Sequence, residues 1–390
     1  MRSLLAPLAV LLALTCPARA EDRARWEPGK TYALFVGVLE WKDPALAAFP
    51  KENRQDRALA KTLEADGVPA SNVHFLEDGR ATLAAIRAEL AATLEQSGEG
   101  STFVFYFAGH GLREDGGQTY FANHDCDTKD DAHTAFALAE LQKTLHAKFR
   151  GSRLLLLADC CHSGALGDVV RSFDDSKTVK AACLTSSTAS NVSTGHWTFT
   201  ESLVAAFARD GRVDLDRDGT VTFAEADGYV HREMRWREEQ LTRGARSRSF
   251  ESELALGAVD TARKAPEGGS GPWKVLDYAE CSWKDQWYKV QVTAAKDGRL
   301  RVHYLGWGAE DDEWVEPGRL RAPPALPVKT GSPCEVEWHG KWWKAKVVAS
   351  DEAFAFVHYD GYGPEWDEWV TGKRLRLAGA VPEKKDRRRP

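Results

Sequence analysis

At 390 residues the chain exceeds one ordinary domain, and a hydrophobic fraction of 43% is enough for a substantial core. The formal charge of −6 provides no global basic field and gives no support to nucleic-acid binding as the general function. Arg2, an apolar stretch from Leu4 to Leu14 and Ala18-Arg19-Ala20 match a secretory signal peptide over 1–20, so export to a periplasmic or extracellular location is expected. That stretch is too short to span a bilayer, as is every later one, and no membrane span is expected after cleavage. Beyond Cys16 stand Cys126, Cys160, Cys161, Cys183, Cys281 and Cys334, an even set that an oxidising compartment can pair; none forms a Cys-x-x-Cys zinc pair.

In chain order, Tyr32 to Val38 reads as a first buried strand and Glu52 to Ala65 as a helix that Asp66-Gly67 stops. Asn72 to Leu76 is a second strand, and Thr82 opens an amphipathic helix through Ile86, Leu90 and Leu94. A third strand leads to His110, a helix spans Ala135 to Phe149, a fourth strand ends at Asp159, and Lys180 to Ser186 is a fifth. Strands alternating with helices predict an α/β sandwich with a mainly parallel sheet, over 21–262. A Gly/Pro-rich linker follows at 263–272.

Beyond it the chain repeats itself. His303-Tyr304 returns as His358-Tyr359, 55 residues on, and the same offset takes Trp283 to Trp338, Trp287 to Trp342, Glu313-Trp314-Val315 to Glu368-Trp369-Val370, and Arg319-Leu320-Arg321 to Arg374-Leu375-Arg376. Two copies of one small all-β unit are predicted, at 273–322 and 328–378, each of a size for a five-stranded barrel. The charged segment 379–390 reads as a solubilising tail.

Two motifs carry the chemistry. Phe103-Val104-Phe105-Tyr106-Phe107-Ala108-Gly109-His110-Gly111 and Leu154-Leu155-Leu156-Leu157-Ala158-Asp159-Cys160-Cys161-His162-Ser163-Gly164 each end a continuous apolar run, the pattern of a strand buried on both faces. Ligands of parallel sheets bind where strands end at their carboxyl edge. If the strands are neighbours, His110 and Cys161 emerge side by side, as a thiolate nucleophile and its proton-transfer partner require.

Residues Thr31 to about Val259 resemble the caspase-like clan of cysteine peptidases, with the match closest to metacaspases and bacterial caspase-like proteins. The histidine motif is Tyr106 to Gly111 and the cysteine motif Asp159 to Gly164. The resemblance implies a three-layer α/β sandwich, Cys161 as nucleophile, His110 as its base, and an oxyanion hole formed by the N–H groups of Gly111 and Cys161. It also implies that Asp56 and Asp159 line the pocket for the residue before the cut, favouring Arg or Lys through charge-assisted hydrogen bonds. Asp56 reads equally well as a carboxylate at a helix N-terminus. Related enzymes mature by cutting a loop that falls here between Gly164 and Lys180, a polar, poorly periodic stretch.

Asp214-Leu215-Asp216-Arg217-Asp218-Gly219-Thr220 through Glu225 fits an EF-hand loop: carboxylates at positions one, three and five, glycine at six, the Thr220 carbonyl at seven and Glu225 at twelve. Ca²⁺ is the expected cofactor, structural or regulatory, and no organic cofactor is implied. Flanking helices are expected at Phe199–Arg209 and Phe223–Gln240. A second acidic group, Asp125, Asp127, Asp130 and Asp131, reads as a solvated loop.

The two repeats resemble Tudor-like or chromo-barrel domains of the SH3-like type. Their tryptophans read as core in so small a unit, with aromatic cages as the other reading. The expected partners are a protein or peptide substrate and a ligand of the barrels whose identity is open. Together these readings give an exported cysteine endopeptidase with two small barrels; the rival is a non-catalytic caspase-fold platform whose barrels carry a binding function.

Overall fold

The computed structural model describes residues 23–114, 117–188, 195–242, 244–338, 340–351, 353–363 and 366–377. The expected signal peptide and charged tail lie outside the described residues. A six-stranded sheet organises the N-terminal region. Its strands are β1 (Thr31–Gly37), β2 (Val73–Glu77), β3 (Thr102–Ala108), β4 (Arg153–Asp159), β5 (Lys180–Thr185) and β6 (Ala245–Arg246). They lie in the order β6-β5-β4-β3-β1-β2. All neighbours pair parallel except β6, which is antiparallel to β5. The chain moves from β1 to β2 on one side and then to β3 on the other, which makes the β1/β3 border a topological switch point.

Helices cover both faces, as continuous apolar strands require. These are α1 (Gln55–Ala65), α2 (Leu83–Gln96), α3 (Leu138–Lys148), α4 (Leu166–Arg171), α5 (Thr198–Phe207) and α6 (Phe223–Arg237). Pleat alternation sends Val104, Tyr106 and Leu157 to the face covered by α1, α5 and α6. Phe103, Phe105, Phe107 and Leu156 go to the face covered by α2, α3 and α4. The threonine expected to open α2 does so, with the Thr82 hydroxyl accepting from the Ala85 N–H at 3.2 Å.

Several boundaries differ from the sequence reading. α1 starts three residues later than expected, because Asn53 takes a positive φ of 55°. The helix expected from Ala135 begins at Leu138: Phe136–Ala137 instead pairs with Thr119–Phe121 in a three-stranded side sheet, burying Phe136. The stretch after Gly164 is not simply a loop, since α4 forms there and buries Val169 and Val170. The six cysteines among the described residues are free thiols.

The C-terminal region forms two five-stranded antiparallel sheets with the same strand order. Even the irregularity repeats: a register shift at Val292/Ala294 has its counterpart at Val347/Ala349. Each unit keeps its own small core, around Val290, Val292 and Val302 in the first and Val347, Ala355 and Val357 in the second. Both dock on the side of α6. Tyr278 donates to Glu233 at 2.7 Å and stacks on Trp236, and Arg235 lies 5.1 Å over Phe354. Just past α6, Glu239 accepts from Lys289 of the first barrel at 2.7 Å and Lys373 of the second at 2.6 Å.

Candidate functional site

Strands β3 and β4 are paired along their length, ending at Ala108 opposite Asp159. Both motifs therefore leave the sheet together at its carboxyl edge, next to the switch point. Gly109 turns the chain outward with a φ of +153°, a conformation that favours glycine, and accounts for the strand ending short of His110. Gly111 then lies directly on the cysteine loop: a Cβ there would stand 1.8 Å from the Cys161 carbonyl oxygen and 2.8 Å from its carbonyl carbon. The two segments expected to form the oxyanion hole are thus in backbone contact.

The His110 imidazole is packed between Trp41 and Phe49, with ring centroids 4.5 and 4.6 Å away. Its Nε2 lies 2.8 Å from the Ala47 carbonyl oxygen. A carbonyl only accepts, so Nε2 carries the proton and Nδ1 keeps the lone pair. Burial pushes the imidazole pKa below its ordinary value, against a smaller upward pull from the Ala47 carbonyl, so the ring is held in the neutral form that a base needs. The orienting carbonyl and the two aromatic walls were not foreseen from sequence. A main-chain acceptor has no residue signature, and Trp41 and Phe49 reach His110 from the segment after β1 through the fold alone.

The adjacent cysteines are in different environments. Cys160 is fully buried, and desolvation raises its thiol well above the ordinary range. Cys161 is half-buried and borders a cleft of about 1500 Å³. Behind it the loop is held by Ser187, whose hydroxyl donates to the Cys160 carbonyl at 2.9 Å, while the Ser163 N–H donates to the Ser187 hydroxyl at 3.2 Å.

Asp159 borders the same cleft. Its carboxyl accepts from the Thr200 hydroxyl at 2.6 Å, and that hydroxyl lies 2.7 Å from the Tyr106 hydroxyl. Desolvation pushes the Asp159 carboxyl up to about 7, only partly offset by its hydrogen bonds with Thr200 and Ser186. Asp56 differs from expectation. It is fully buried and does not border the cleft, because the Arg54 guanidinium binds it from Nη2 at 2.6 Å and from Nε at 3.1 Å. Arg54 also donates to Asp78 at 2.8 Å and to the Gly37 carbonyl at 3.0 Å. The carboxylate at the start of α1 is thus committed to an internal cation.

At the EF-hand-type loop, the Asp214, Asp216 and Asp218 carboxylates each offer an oxygen within 4.8 Å of the others. Gly219 makes the turn at φ +86°. Glu225 closes a capping box with Thr222 at the start of α6, and its carboxylate also accepts from the Leu215 N–H at 2.8 Å. EF-hand loops usually occur in pairs; here Thr220–Thr222 pairs with Ala255–Ala258 of the same domain instead. The loop residues fit a hard cation: Asp214 Oδ1 is buried with no hydrogen-bond partner, an orphaned oxygen that a cation would satisfy. Arg23 stands close by, its guanidinium 2.6 Å from Asp218. In the second acidic group, Asp125 accepts from the Leu83 N–H, Asp127 from the Lys129 N–H, and Asp130 pairs with His133.

The barrel tryptophans correct the expectation of a tryptophan core. Trp283, Trp287, Trp307, Trp338, Trp342, Trp343 and Trp366 are exposed, and valines fill the interiors. Arg321 lies over Trp287 at 3.8 Å and Arg376 over Trp342 at 4.1 Å, so the same cation–π pair recurs in both repeats. Four rings cluster on the first barrel, with Trp307 6.0 Å from Tyr288 and 6.4 Å from both Trp283 and Tyr304. The second repeats the arrangement around Tyr362, 5.8 Å from Trp343 and 6.4 Å from Tyr359.

A parallel sheet between two helical layers, with histidine and cysteine segments in contact at its carboxyl edge, defines a caspase-type domain. The caspase-domain family model matches residues 31–249, and the chain belongs to that family. Residues 328–377 match the Tudor-knot, described as the RNA binding activity-knot of a chromodomain. No curated protein matches. Among solved structures, protein GSU0716 from Geobacter sulfurreducens is similar at 16% identity and a TM-score of 0.43, covering 59% of this chain and all of its own.

Proposed function

We propose that the protein is a cysteine endopeptidase in which Cys161 is the nucleophile and His110 its proton-transfer partner, cutting after Arg or Lys. The contact of Gly111 with Cys161, beside a His110 ring whose Nε2 is tied to Ala47, is the observation that carries this reading. Nδ1 of His110 takes the thiol proton as Sγ attacks the peptide carbonyl carbon. The N–H groups of Gly111 and Cys161 stabilise the oxyanion. The amine leaves with the proton from His110, and water then hydrolyses the thioester, returning the thiol and releasing the carboxylate. Cys160 is a poor rival nucleophile because burial keeps its thiol protonated. Asp159 at the cleft supports a basic preference.

A thiol-reactive arginyl peptide tests the assignment by mass spectrometry of reduced, calcium-loaded protein. Labelling is expected in the native protein and in Cys160→Ala, and is expected to vanish in Cys161→Ala. Labelling that survives Cys161→Ala, or none in the native protein, would favour the non-catalytic platform.

We further assign Ca²⁺ to Asp214, Asp216, Asp218, Thr220 and Glu225, and target recruitment to the exposed rings of the barrels. RNA gains little support as the barrel ligand, since 328–377 holds seven Lys and Arg against eight Asp and Glu. A protein, peptide or envelope polymer suits an exported chain; the export reading rests on residues 2–20 alone.

A further inference from the structure

We infer that the outer sheet face of the first barrel is a wall of the substrate cleft and selects an aromatic or large apolar side chain flanking the cut; this rests on the peptidase reading above. In the strand Gln286–Lys296 the pleat sends Val290 and Val292 into the barrel core, so Trp287, Lys289 and Gln291 share the opposite face. Register places Tyr278 and His303 on either side of Gln291, and Glu280 beside Lys289. All of these residues border the same cavity as Cys161 and Asp159. The barrel thus completes the cleft into which the nucleophile opens.

That face is pinned to the peptidase domain by its own residues. Lys289 pairs with Glu239 at 2.7 Å, and Tyr278 donates to Glu233 of α6 at 2.7 Å. The charges of the wall are matched: Glu280 with Arg321 at 2.8 Å, His303 Nδ1 with Asp312 at 2.8 Å, and Lys289 with Glu239. What the wall presents to a substrate is therefore aromatic. Trp287 stays 40% exposed although Arg321 lies over its ring, and Trp236 of α6, stacked on Tyr278, borders the same cleft. An aromatic or apolar side chain laid on Trp287 removes both surfaces from water and adds ring contact. A charged one finds the charges of this wall already engaged. The second barrel supplies the contrast: Trp342 has the same cation over it, from Arg376, but does not border the cleft. The counterparts of Tyr278 and Gln291 are Pro333 and Lys346, so the repeats differ at the face where one of them meets the cleft.

Arginyl peptides carrying one phenylalanine at successive positions on either side of the cut, compared with a parent flanked by alanine alone, supply the test. The full-length protein is expected to favour phenylalanine at a flanking position by about tenfold to a hundredfold in kcat/KM. Trp287→Ala is expected to erase that preference, with the loss carried by KM because the contact lies away from the reacting atoms, and Trp287→Phe to restore most of it. Trp342→Ala removes the matching ring outside the cleft and is expected to keep the preference. Calorimetric binding of the same peptides to Cys161→Ala, with and without Trp287→Ala, gives a readout independent of turnover. If no peptide is cut, the peptidase reading fails while binding still judges the wall. No phenylalanine preference in the native protein, a preference unchanged in a Trp287→Ala protein that melts with the native one, or an equal loss in Trp342→Ala would overturn the assignment.

Discussion

Replacing Gly111 by alanine tests the meeting of the two motifs most directly. The added methyl would sit 1.8 Å from the Cys161 carbonyl oxygen, so one segment must withdraw by about 1.6 Å to reach the 3.4 Å of ordinary contact. Both contacting atoms belong to the backbone and cannot rotate aside. A displacement on the order of 1 Å in a reacting constellation costs roughly a hundredfold in rate, about 2.7 kcal/mol at 1.36 kcal/mol per tenfold. Overpacking should also destabilise the fold by about 1–3 kcal/mol, a fall of roughly 2–12 °C in melting temperature for a domain of this size. Peptide hydrolysis and a thermal melt on the same preparation measure both effects. Gly98→Ala, where a Cβ meets nothing within 4 Å, serves as control. A Gly111→Ala protein with native kcat/KM and native melting would show that the histidine and cysteine segments do not touch.

Removing the buried cation, Arg54→Met, strands Asp56 and Asp78 together and should cost about 3–5 kcal/mol in urea unfolding; a loss under about 1 kcal/mol would refute a buried ion pair. Because burial lowers the His110 pKa, the acid limb of kcat/KM should lie below about pH 6.5, and Trp41→Ala should move it upward by readmitting water. The same shift makes the unfolded chain bind a proton first, so this group's stabilising contribution is complete above about pH 6.5 and falls as pH drops below it, which melting against pH would record. Calcium at a hundred times its dissociation constant should stabilise the native protein by about 2.7 kcal/mol, with Glu225→Gln abolishing the gain and Arg23→Ala tightening binding by freeing Asp218; a melt indifferent to calcium would count against the loop.

Much of the architecture was legible in the sequence because it depends on local pattern. The runs at 103–107 and 154–158 read as strands buried on both faces and are so, and the 55-residue offset anticipated two like barrels, which share even a register shift. Arginine at 54 and aspartate at 56 gave no sign that they would bind each other, because that contact is created by the turn at Asn53. Tryptophan content likewise carries no information on which side of a strand a ring stands. The Ala47 carbonyl was invisible for a simpler reason: every residue has one.

Helix α6 joins features that are far apart in the chain. It carries Glu225 in its first turn and the residues against which both barrels rest, and is capped by Glu238, which borders the same cleft as Cys161. Fifteen residues make a rod of roughly 22 Å, stiff on the scale of a side chain. The acidic loop, the docking of the repeats and the shape of the cleft are therefore mechanically geared to one another, and a substitution that tilts this rod changes all three at once.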